Sequence, residues 1–126
     1  MSTTVERLGD WCASLNAGAV PQRVIEKAKL QVLSVLAAVY SGYHARAARA
    51  LREIILSTRA NGRSSVFPSR ERSSPTVAVV ANAAASMAID YDDYLFMGHT
   101  GHSAVLGALA YGEERGSSGL DALLAQ

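Results

Sequence analysis

For most of the chain, apolar and polar positions alternate with a helical period. Val5, Leu8, Trp11, Cys12 and Leu15 fall on one face, which predicts a short amphipathic helix over 5–15. The segment NAGAVPQ interrupts it, and Pro21 suits the first turn of a second helix. That helix runs to about Tyr40, with Val24, Ala28, Val32, Val35, Leu36 and Val39 as its stripe. Past Leu30 it is apolar nearly all round (LQVLSVLAAVY), the pattern of a helix central to its fold. Ser41-Gly42 ends it. A third helix is expected from His44 to Arg59. Ala47, Leu51, Ile54, Ile55 and Thr58 form its apolar side, and Asn61-Gly62 stops it. SSVFP reads as one short strand or an extended segment, and SRERSS as a polar loop.

Ser74-Pro75 is an N-cap followed by a proline at the first helical position. The fourth helix, PTVAVVANAAASMAI, is rich in small residues that permit close helix approach, which places it in the interior. A fifth helix covers roughly His102 to Glu114. GSSG breaks it, and Ser118 caps a sixth, of which LDALLAQ is the opening. The expected fold class is all-α, a helical bundle. A sixth helix that barely starts suggests a truncation or a surface completed by another chain.

Composition narrows this picture. The chain has 126 residues, enough for one small domain, and a formal net charge of +1. No overall field points to nucleic acid or an acidic membrane. Between His44 and Arg72 lie seven arginines and two glutamates, with only Tyr43 and Phe67 near enough to stack bases. A solvated face is expected there, rather than a nucleic-acid surface. Cys12 is the single cysteine, which excludes a disulfide framework within these residues; beside Trp11 it is expected to be a buried structural thiol. The N-terminus lacks a basic start followed by an apolar run, and LSVLAAVY is too short to span a bilayer. A cytoplasmic protein without a membrane span is expected.

One stretch does not read as packing: DYDDYLFMGHTGHSAV, residues 90 to 105. Asp90, Asp92 and Asp93 follow an interior helix. Clustered carboxylates perturb one another's ionisation, which suits a general acid or base, and also a hard cation such as Mg²⁺. The plainer reading is that Asp92 and Asp93 cap backbone amides in a loop. His99 and His102 are three apart, with Gly98 and Gly101 beside them. Two histidines and an aspartate can bind zinc, but no strong zinc signature is present, so no metal is assigned. Thr100, His102 and Ser103 can cap the following helix, whose N-terminus would then face the carboxylates and favour anions. GHSAV lacks the second glycine of a nucleophile elbow, and no strand is expected before Ser103.

With these residues in view, the sequence resembles the N-terminal part of the MmgE/PrpD family, relatives of 2-methylcitrate dehydratase and cis-aconitate decarboxylase. LGDWCASL, VPQRVIEKAKLQVLSVLAAVYSG, a Gly-Arg-Ser-Ser-Val segment, SSPTVAVVANAAASMAIDYDD, a Gly-His loop and GSSGLDALLA carry the resemblance in order, across essentially the whole chain. It implies a partial all-helical domain over 1–126, with the family's later helices and smaller α+β domain absent. It implies lyases or isomerases that act on polycarboxylates, are usually homodimeric and need no iron–sulfur cluster or other cofactor. Asp90 is similar to the first Asp of the family's Asp-Phe-Asp-Asp-Thr motif, and Tyr94 stands where that motif has Thr. His102 is the first choice for the family's downstream histidine, because Ser-Ala-Val follows it, and His99 is the second. Asp93, Tyr94, Thr100 and Ser103 are the expected substrate contacts. Family lysines and a further histidine lie later in the chain, so residues 1–126 are expected to be inactive alone. The competing expectation is a non-catalytic helical module that binds a partner chain or itself.

Overall fold

A computed structural model describes residues 2–91, 93–95 and 98–126. Among them are six α-helices: α1 (Thr4–Ser14), α2 (Gln22–Gly42), α3 (Arg46–Leu56), α4 (Pro75–Met87), α5 (Gly101–Arg115) and α6 (Gly119–Ala125). Two antiparallel two-residue strand pairs accompany them. β1 (Ser64–Ser65) pairs with β2 (Arg72–Ser73), and β3 (Tyr94–Leu95) with β4 (Gly98–His99). The fold is all-α, as the hydrophobic period predicts. β1 falls within SSVFP, the expected extended segment, whereas β2, β3 and β4 fall where the hydrophobic pattern predicts only loop.

Local signals set the helix ends. Thr3 and Glu6 form a capping box at α1, and Ser118 and Asp121 form another at α6. Pro75 opens α4 as expected, although the Ser74 side chain makes no capping bond.

Packing centres on α4, which lies against α2, α3 and α5. Its buried residues are Ala78, Ala81, Asn82, Ala85 and Ser86, all small or compact. A Cβ built on Gly42, the last residue of α2, would overlap the carbonyl oxygen of Ala85, so the two backbones meet where no side chain fits. Val35, Val39, Ala48, Ala85, Val105 and Leu106 form the main core cluster. A second cluster joins Val66 to Ala78 and Ala81. Asn82 is the polar exception within α4. Its Oδ1 accepts from the Phe67 amide at 2.8 Å and its Nδ2 donates to the Ser65 carbonyl at 3.0 Å, so it fastens the β1 segment to the helix. Glu113 of α5 grips the same segment, accepting from the Ser65 amide and hydroxyl.

Three expectations about packing are corrected. Cys12 is exposed, not buried, because α1 buries none of its residues and leaves Val5, Leu8 and Trp11 open. The second helix is central only in its second half. Val35, Ala38, Val39 and Gly42 are buried, whereas Val24, Leu30 and Leu33 are exposed. The third helix turns a different face inward. It buries Ala48 and Arg52 and leaves Leu51 and Ile54 exposed. Arg52 goes inside because its guanidinium lies 3.8 Å from the centre of the Tyr43 ring and donates to the Tyr43 carbonyl. No described helix is long and apolar enough to cross a membrane.

Gly42→Ala is expected to destabilise the fold by about 1–3 kcal/mol, the usual cost of overpacking, read as a lower urea midpoint. The capping boxes carry a pH dependence. The Ser118 hydroxyl, then its amide, hold Asp121 below the ordinary carboxylate value. The Thr3 amide, then its hydroxyl, do the same for Glu6. A depressed carboxylate stabilises above its unfolded value and loses that contribution as pH falls through the folded one. The ends of α1 and α6 should therefore fray on acidification below the normal carboxylate range, seen as loss of helical Cα chemical shifts at residues 4–6 and 119–121.

Candidate active site

Three elements deliver the motif to one place. Asp90 follows the end of α4 and takes a left-handed conformation, φ 54°, which Asp tolerates better than most residues. Its amide donates to the Met87 carbonyl at 3.2 Å, so the chain turns sharply out of the helix. The β3–β4 hairpin then brings Tyr94 directly opposite His99. The Thr100 amide donates to the Asp93 carbonyl, and α5 begins at Gly101.

Asp90 and His99 meet here. His99 Nε2 lies 3.5 Å from Asp90 Oδ1, with the carboxylate side chain 85% exposed and the imidazole 22% exposed. Tyr94 packs edge-on against the His99 ring at 5.4 Å between centroids. His102 stands one step behind, its ring 6.4 Å from that of His99 and half-buried in the first turn of α5. An imidazole and a carboxylate in this arrangement can pass a proton between a bound molecule and water.

Asp93 is held differently. Its carboxylate accepts from Gln31 Nε2 at 2.6 Å, with the Ser34 hydroxyl further off at 3.4 Å. It lies against Gly101, where an added Cβ would come within 2.9 Å of Asp93 Oδ2 and 2.6 Å of Val35 Cγ2. Asp93 therefore takes side chains of α2 rather than capping loop amides. Asp92 lies outside the described residues. Thr100 occupies the N-cap position of α5, but its side chain makes no capping bond. Ser103 is exposed and donates its hydroxyl to the Thr100 carbonyl.

Gln31 and Ser34 were not singled out by the sequence. Their signal was two polar residues, three apart, inside an otherwise apolar run; their partner stands about sixty positions away. Two largely apolar grooves, of about 650 and 570 Å³, flank α6; Val105 lines the first, and none of Asp90, Asp93, Tyr94, His99, Thr100, His102 and Ser103 lines either. Their walls are mainly apolar, with Lys29 lining the first and Lys27 the second. Among the described residues no group of three or more His, Cys, Asp or Glu could hold a metal ion.

The family model of the MmgE/PrpD N-terminal domain matches residues 6–126, nearly the whole chain, and the chain belongs to that family. No curated protein and no solved structure matches it.

Gly101→Ala tests how tightly the first turn of α5 is seated. The added methyl must displace Asp93 or Val35, so a loss of about 1–3 kcal/mol is expected by denaturant unfolding. Exchange of the Thr100 amide should quicken along with it.

Proposed function

We propose that this member of the MmgE/PrpD family carries the proton-transfer part of a lyase-type site for citrate-like polycarboxylates. Asp90 and His99 are the acid–base pair, and their 3.5 Å approach beside Tyr94 is the observation that carries the reading. The reading puts His99 ahead of His102. His99 touches the carboxylate, whereas His102 sits behind it in α5.

The chemistry follows from the pair. In a dehydration, a base removes a proton from the carbon α to a carboxylate. The electron pair left behind forms the carbon–carbon double bond as the β carbon–oxygen bond breaks, and an acid protonates the departing hydroxyl to give water. A carboxylate and an imidazole divide those roles. Decarboxylation and epimerisation of the same acids share the need for a placed proton donor or acceptor. Tyr94 and Thr100 then border the substrate, and Ser103 lies on the outer side of the same helix turn.

Residues 90 to 105 include no lysine or arginine. A polycarboxylate needs cationic or N–H partners, so other residues must provide them. Asp90 is also open to water, and a lyase site has to close. Both points support a site completed by a further polypeptide surface, from a second chain or another copy in a homo-oligomer, with residues 1–126 inactive alone. A cytoplasmic location goes with this reading.

A non-catalytic helical module is the second reading. It is favoured by α1, whose apolar face is uncovered, and by the exposed Leu30, Leu33 and Tyr40 of α2.

Turnover of citrate, 2-methylcitrate and cis-aconitate by the protein purified from its source separates the two. Asp90→Asn and His99→Gln should each lower kcat/KM by about 10²–10⁴-fold, the usual worth of a general acid or base, with melting unchanged. His102→Gln should cost less. Full turnover in both Asp90→Asn and His99→Gln would exclude the pair from the chemistry. Absence of turnover in the wild type, with assembly intact, would favour the module.

A further inference from the structure

The longest-range polar contacts in the described residues form one chain of side chains. Gln126 Nε2 donates to Gln31 Oε1 at 2.6 Å, and Gln31 Nε2 donates to Asp93 Oδ2 at 2.6 Å. Gln31 is half-buried in α2, so its amide is committed at both ends. Its orientation is dictated by chemistry. An ionised carboxylate only accepts, so Gln31 must turn its NH₂ to Asp93, and its oxygen is left for the donor on Gln126. A hydrogen bond to an ionised acceptor is also stronger than a neutral one.

Asp93 is the joint between that chain and the site. Its carboxylate is bound to α2, its carbonyl accepts from Thr100, and its side chain packs on Gly101. The next residue is Tyr94, which faces His99 across the hairpin. A shift of Asp93 therefore moves the ring that borders the Asp90–His99 pair.

We infer that Gln31 is a positioning residue. It holds Asp93 as an anchor of the β3–β4 hairpin, so Asp93 serves by its hydrogen bonds and does not contact substrate. This rests on the acid–base reading of Asp90 and His99. It also replaces the expectation that Asp93 binds substrate with a structural duty for the same carboxylate.

A swap of donor and acceptor distinguishes the two duties. In Gln31→Glu alone, two carboxylates face each other and repel. In Gln31→Glu combined with Asp93→Asn, the bond is restored with its direction reversed. The introduced carboxylate accepts from the introduced amide at position 93 and still accepts from Gln126. The topology is kept, while the negative charge leaves position 93.

With the protein in its natural assembly and citrate as probe, Gln31→Glu should lower kcat by about 10²-fold, the cost of a misplaced catalytic group. The double variant should return near the wild-type value. If the double variant stays as low as Asp93→Asn alone, the charge of Asp93 acts on substrate and the inference is overturned. A second readout does not depend on activity. Nuclear Overhauser contacts between the Tyr94 and His99 rings should be lost in Gln31→Glu and regained in the double variant. Contacts that persist unchanged in Gln31→Glu would overturn the anchor, even if no acid is turned over. Wild-type inactivity with the expected pattern of ring contacts would remove the lyase reading and leave Gln31 as the hairpin's anchor.

Discussion

Close approach of backbones around α4 is the constraint on which the rest of the structure depends. A helix can contact three others only if its side chains leave room. Ala78, Ala81, Ala85 and Ser86 leave that room, and Gly42 removes the last obstacle on α2. At such separations van der Waals contact between backbones replaces interlocking of large side chains, and every added methyl is felt. The one larger polar group admitted, Asn82, is paired on both sides of its amide, so its burial is compensated.

This arrangement positions the candidate site. Because α4 is held tightly against α2, the chain that leaves its end at Asp90 reaches α2 within a few residues, at Asp93. Because α2 runs past that point, Gln31, Ser34 and Val35 are available to the loop that follows. The hairpin needs these contacts: a pair of two-residue strands has too few ladder bonds to persist alone. Its position comes from Asp93 against α2 and Gly101, and the histidine that approaches Asp90 is the one on that hairpin.

The uncovered surfaces fit the same picture. α1 is an amphipathic helix with a complete capping box and an apolar face that no other described element buries. A helix of eleven residues is marginal in water without tertiary support. Capping supplies part of that support. The open apolar residues of α1 and of the first half of α2 are the surface still available for burial.

Local information decided the helices. Period, caps and breaks act within a few residues, so Pro75, the Ser118 cap and the small-residue run of α4 were legible in the sequence, as was the family resemblance carried by ordered motifs. The candidate site was legible as a stretch but not as an arrangement. Which face of α3 turns inward depended on Arg52 finding the Tyr43 ring, and whether Cys12 is buried depended on what covers α1. The approach of His99 to Asp90, and the role of Asp93 opposite Gln31, arise between residues that are distant in sequence. Period and spacing record one segment's own preferences. Contacts across the fold depend on how two segments are brought together, and only the packing of α4 between α2 and α5 determines that.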